Sequence, residues 1–187
     1  MARQRSQTSL QSSDLALAIK PLLVAYAPNR QVAISADKKD CIMGDYPTLA
    51  GVNAQYGDNR VAKAWLIPQI TNLVEFANRK SIITEEQVID CAGIILNEYY
   101  YLKLSELMLF FHWFKAGRYE HFYDTIDPMV ILASLRSFVK ERNQLLTMYE
   151  KDEEKEREKA DKKPTMTYQE WQERKRNKEL KTQHYDK

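Results

Sequence analysis

The residues with the most chemistry to offer lie in one short connector. Between Gly117 and Asp127 the chain reads GRYEHFYDTID, which brings Arg118, Tyr119, Glu120, His121, Tyr123, Asp124 and Asp127 close together. A histidine beside a carboxylate is common material for general acid–base catalysis, and a pair of aspartates can hold a cation. Glu106 and His112, in the apolar run just before the connector, could face the same corner. Glu106, His112, Arg118, Tyr119, His121, Tyr123 and Asp124 therefore form a candidate pocket. A plainer reading is that the tyrosines pack and the carboxylates cap. Asp127 followed by Pro128 is the clearest helix start in the chain: a capping carboxylate, then a proline with φ already set.

Other catalytic and metal signatures are absent. The sequence has no Glu-x-x-His pair, no Cys-x-x-Cys, no glycine-rich phosphate loop and no G-x-S-x-G. Its two cysteines, Cys41 and Cys91, lie far apart, which argues against a disulfide framework and for a reducing cytoplasm. Cys91 sits among apolar neighbours and reads as a small core residue. No cofactor and no enzymatic activity are expected.

A second kind of chemistry sits at the other end. Residues 140–187 hold 14 of the 28 Lys and Arg and 12 of the 26 Asp and Glu, so the preceding residues carry 14 of each and are neutral. Within that mixed tail, Arg174, Lys175, Arg176, Lys178 and Lys181 make the one local basic cluster, and Tyr168 and Trp171 stand beside it. A solvated face is the commonest meaning of such a run. A tryptophan in a charged segment with no core of its own is also the usual form of an anchor for a partner. A protein partner is therefore expected, and nucleic acid is a second possibility through the basic residues. A second copy of the chain is a third. No apolar stretch is long enough to span a bilayer, and the polar start, MARQRSQTSLQSSD, carries no secretory signal.

These groups must be positioned by helices. Gly is scarce, at 5, while periodic apolar runs are long, so the expectation is an all-α, compact multi-helix domain over residues 13–149. Residues 1–12 read as disordered and 150–187 as a charged helical tail. Leu15, Ile19, Leu22, Leu23 and Tyr26 share a helical face, which Pro21 should bend or split. Val32/Ile34 and Cys41/Met43 alternate around a polar turn, the pattern of a small β-hairpin near 31–43. Pro47 suits the first position of a short helix ending at Tyr56-Gly57. Asp58 or Asn59 should cap the next, whose face is Trp65 or Leu66, Ile70, Leu73, Val74 and Ala77, with a kink at Pro68. Thr84 to Gln87 spells a capping box. Leu107, Phe110, Phe111 and Phe114 mark a central helix stopped by Gly117. Ile131, Leu135, Phe138, Arg142, Leu145 and Tyr149 follow at spacings of four and three.

The string Lys115-Ala116-Gly117-Arg118-Tyr119, with Phe122-Tyr123, Ile126-Asp127-Pro128 and Glu141-Arg142, resembles a family of uncharacterised proteins from Bacteroides-type bacteria, their phages and their conjugative elements. Thr48-Leu49-Ala50, Tyr56-Gly57, Trp65-Leu66, Glu106 and Phe110-Phe111 extend the resemblance over 45–142. Glu120 and Asp124 stand where such proteins usually carry a glycine. A helical core with a charged tail is also similar in architecture to phage helicase loaders and replisome organisers. The resemblance implies a non-enzymatic adaptor, a replication accessory of a phage or mobile element, with a replisome component as partner. Two other readings stay open: a small enzyme or ligand-binding protein using 118–127, and a structural phage component.

Overall fold

The computed structural model describes residues 12–77, 83–119, 126–161 and 168–183. Among these the chain is all-α, with no strand. The helices are α1 (Ser12–Ala25), α2 (Gln31–Ile34), α3 (Lys38–Met43), α4 (Leu49–Tyr56), α5 (Arg60–Ala77), α6 (Glu85–Glu98), α7 (Leu104–Lys115), α8 (Pro128–Asp161) and α9 (Tyr168–Gln183). A 3-10 turn, Pro28–Arg30, leads into α2. The chain divides into two units, Met1–Thr147 and Met148–Lys187. The disorder expected over 1–12 lies outside the described residues, save Ser12, which opens α1.

The first unit is built around α7. Ten of its twelve residues are buried, on every side of the helix, so it needs neighbours all round. It packs on α2, α3 and α5, and α5 in turn carries α1, α4 and α6. Side chains from α8 close the remaining side. The Phe138 ring sits 5.6 Å from Phe110 and 5.7 Å from Trp113. Phe110, Phe111, Phe114, Ile131, Leu135 and Phe138 all lie in one core.

Local chemistry sets the helix ends. Thr84 and Gln87 form the capping box in both directions, at 3.2 and 3.0 Å. Asp127 Oδ1 accepts the Val130 N–H at 2.8 Å. Gly117 ends α7 at φ +73°, where the Arg118 N–H reaches the Trp113 carbonyl and the Gly117 N–H reaches that of Phe114. This is the Schellman arrangement, and Gly57 repeats it at the end of α4. Asp58 Oδ1 accepts the Arg60 N–H at 2.8 Å, capping α5.

Three expectations are corrected. Residues 31–43 form two short helices rather than a hairpin. Asp37 caps α3 by accepting the Asp40 N–H, and Cys41 and Ile42, adjacent in sequence, are both buried. Neighbours in a strand point to opposite faces, so a two-residue buried pair suits a helix on a core. Pro47 does not open α4. Thr48 is the N-cap, and its hydroxyl accepts the Gly51 N–H at 2.9 Å. The first two amides of α4, Leu49 and Ala50, donate to the carbonyls of Leu102 and Tyr100, so the α6–α7 corner docks on that helix end. Finally, Pro21 does not split α1; it lies inside an unbroken helix, as Pro68 does in α5.

Candidate functional site

Two described residues of the corner after α7, Arg118 and Tyr119, are packed against its neighbours. The Arg118 guanidinium lies over the Trp113 ring, 3.8 Å from its centroid, and pairs with Glu141 on α8. Tyr119 is buried, its ring 5.9 Å from Phe110 and 6.2 Å from Phe114. Its hydroxyl has no hydrogen-bond partner among the described residues. Burial pushes its pKa up, with the Glu141 charge adding and Arg118 opposing. His121, Tyr123 and Asp124 lie outside the described residues.

Glu106 is wholly buried one helical turn into α7. One oxygen accepts the Lys103 N–H at 2.8 Å, which caps the helix, and the other accepts from Arg142 Nε at 2.6 Å. Arg142, the apparent flaw in the α8 stripe, is thus the counter-charge of a core carboxylate. Lys103 Nζ meanwhile donates to the carbonyls of Ile42 and Gly44, and Ser105 donates to that of Cys41. The two oxygens of Glu106 thus tie the start of α7 to α8, while Lys103 and Ser105 tie it to α3. His112 is half-buried on the same helix. Of the seven candidate pocket residues, Glu106, Arg118 and Tyr119 are packed or paired into the fold. Among the described residues, Glu106 is paired with Arg142 and Arg118 with Glu141.

Sequence reading missed a second polar group. The Lys115 ammonium donates to Gln31 Oε1 at 2.9 Å and to Asn72 Oδ1, and lies 5.5 Å from the Phe76 ring centroid. Gln31 Nε2 donates to Gln69 Oε1 at 2.8 Å, and Gln69 Nε2 to the Tyr26 carbonyl at 2.7 Å. Gln31 and Gln69 are both buried. The chain of bonds satisfies their amides and locks α1, α2, α5 and α7 to one another. Burial lowers the Lys115 pKa. The available signal was Gln69 itself, a polar residue on the stripe made by Ala62, Leu66 and Leu73.

Two further places hold a cavity or reactive groups. A cavity of about 390 Å³ between α5 and α6 is lined by Ile67, Val74, Ile83, Val88 and Ile89, with Thr71, Glu75 and Glu85 beside them. It holds no histidine or thiol. The thiols of Cys41 and Cys91 are pushed up by burial to about 11 and about 12, so they stay protonated and poorly nucleophilic at neutral pH. Among the described residues no cluster of three His, Cys, Asp or Glu could hold a metal, and no helix is long and apolar enough to cross a membrane.

In the second unit, α9 carries the predicted tail residues. Tyr168 and Trp171 are 72% and 50% exposed. Their rings stack, 5.9 Å between centroids and 20° from parallel. Lys175 Nζ lies 5.4 Å from the Trp171 ring centroid, and Arg174, Lys175 and Arg176 are exposed. Lys178 and Lys181 continue the same helix; the description does not extend to their side chains.

The class is therefore an all-helical protein whose buried Gln31, Gln69 and Glu106 are bonded within the fold, with an aromatic and basic helix in its second unit. The chain belongs to a family of unknown function, DUF6633, which matches residues 83–182. The match begins later and runs further than the expected 45–142, and it takes in α9. No curated protein and no solved structure matches the chain.

Proposed function

We propose that the protein is a non-enzymatic adaptor whose first unit is a scaffold and whose α9 is the contact element. The observation that carries this is the exposed Tyr168–Trp171 stack on a helix with almost no other apolar residue. An aromatic pair left in water on a basic helix is an anchor without a socket of its own. The ion pairs of Glu106 and Arg118 support the same reading, because these two candidate groups are engaged within the fold. The family match supports it too, since it extends over the tail instead of stopping at the first unit. The finer reading is a replication accessory of a phage or mobile element, working as a helicase-loader-like adaptor in the cytoplasm.

Affinity capture from the native cell tests this, using the full chain and a chain ending at residue 149. The adaptor reading expects partners retained by the full chain and lost by the shorter one, and a replisome component among them carries the finer reading. Identical partners for both chains would refute α9 as the contact element.

A further inference from the structure

We propose that α9 binds single-stranded nucleic acid, with a base stacking on the Tyr168–Trp171 ledge and the neighbouring cations meeting the phosphates. The inference rests on the adaptor reading and names the chemistry of what the tail contacts.

The order of residues along one face of α9 carries the argument. Tyr168, Trp171, Lys175 and Lys178 fall at i, i+3, i+7 and i+10, one stripe of an α-helix. A helix that docks in a protein groove continues its apolar anchors at those positions. Here the apolar ridge stops after two rings, and Lys175 continues it. Arg174, three residues past Trp171, adds a cation beside the stripe. Rings followed by cations complement a base followed by its phosphate backbone. The rings themselves lie within 20° of parallel and so present a flat aromatic surface rather than an interdigitating knob.

Exposure selects the same partner. Trp65 and Trp113 are buried, whereas Trp171 is half exposed in the segment richest in charge. Unpaired bases stack on aromatic side chains with little regard to sequence, and an adjoining basic track supplies the electrostatic attraction. A duplex keeps its bases stacked on one another and could use only the cations. Single strands are therefore the form that engages every feature of this face.

The three tryptophans make the test direct. Because Trp65 and Trp113 are buried, fluorescence quenching by a bound base reports on Trp171. The full chain is titrated with oligothymidylate, with oligouridylate, and with a duplex of equal length. Saturable quenching by the single strands is expected, and weaker binding without quenching by the duplex. The slope of log K against log salt should be about −0.7 for each phosphate neutralised, and Lys175→Gln should make it shallower by about that amount. In anisotropy measurements with a labelled strand, Trp171→Ala should weaken binding by about five- to a hundredfold, while Trp171→Phe retains most of it. If DNA and RNA strands bind alike, the ledge reads the base and backbone alone; a preference for one identifies the natural strand. Three results would overturn the proposal: no binding at low salt, equal affinity for the duplex, or Trp171→Ala binding as tightly as the native chain. Should the oligonucleotides fail while cellular capture still depends on the tail, the adaptor reading stands and α9 contacts protein instead.

Discussion

Arg142→Met, with Glu106 left in place, is expected to destabilise the first unit by about 3–5 kcal/mol. Glu106 is wholly buried, and the Arg142 side chain is itself only 13% exposed, so water is poorly placed to take over. Among the described residues the variant leaves the carboxylate with the Lys103 N–H as its one remaining partner and with no counter-charge. Attraction between unit charges about 4 Å apart is about 4 kcal/mol at an effective dielectric of 20, which agrees in size. Domains of this kind are stable by about 5–15 kcal/mol, so the loss would be a large fraction of the whole. Urea unfolding followed by the fluorescence of the buried Trp65 and Trp113 measures it. The partner experiment is the double variant Glu106→Gln/Arg142→Met. Glutamine keeps an oxygen for the Lys103 N–H and buries no charge, so most of the loss should return, leaving about 1–2 kcal/mol. A single-variant loss below about 1 kcal/mol, or a double variant equal to the sum of its singles, would refute the reasoning.

Phe111→Ala should cost about 3–5 kcal/mol, because the ring is fully buried against its neighbours in the core; a loss under about 1 kcal/mol in the same assay would mean the site collapses around the void. Asp127→Ala should cost about 0.5–2 kcal/mol by freeing the Val130 N–H at the start of α8. Unchanged stability would show that the cap contributes nothing. Gly117→Ala should cost about 1–2 kcal/mol from backbone strain alone, since φ is +73° and a Cβ there meets no atom within 4 Å. Stability should also fall at high pH through the thiols. Burial raises Cys41 to about 11, with Asp40 adding, and Cys91 to about 12. Unfolded thiols ionise near 8.5, so this contribution is complete below about that pH and is lost as pH rises through the folded values. The melting temperature of the native chain should therefore drop more between those limits than that of Cys41→Ala/Cys91→Ala; parallel profiles would contradict the assignment.

What could be read in the sequence was what short-range chemistry decides. The Thr84 box, the Asp127 cap and the left-handed Gly117 each depend on partners within about five residues, and the aromatic face of α7 follows from its period. Two-residue alternation misled over 31–43, because four-residue α2 is held by distant atoms. Gln31 is bonded to Gln69, 38 positions away, and to Lys115, 84 away. The same limit governs the site. Glu106 and Arg142 are 36 residues apart, and nothing local reveals that they neutralise each other. Titratable residues gathered in sequence suggested a pocket; the fold turned Glu106 and Arg118 toward separate partners. The exposure of Tyr168 and Trp171 was legible because their sequence neighbours are almost all polar or charged.

The borders of kinship and of folding disagree in this chain. The family match starts at residue 83, just ahead of α6, and so leaves out α1 to α5. Yet α7 is wrapped on the side those helices cover. A fragment severed at residue 83 would strip Lys115 of both its acceptors, Gln31 and Asn72, and Ser105 of the Cys41 carbonyl. It would also bring much of the most apolar helix into water. In this chain the matched segment is one part of an interlocked core, and α1 to α5 supply the rest. Expression of 83–182 alone should yield an aggregating chain, and co-expression with residues 1–82 should rescue it.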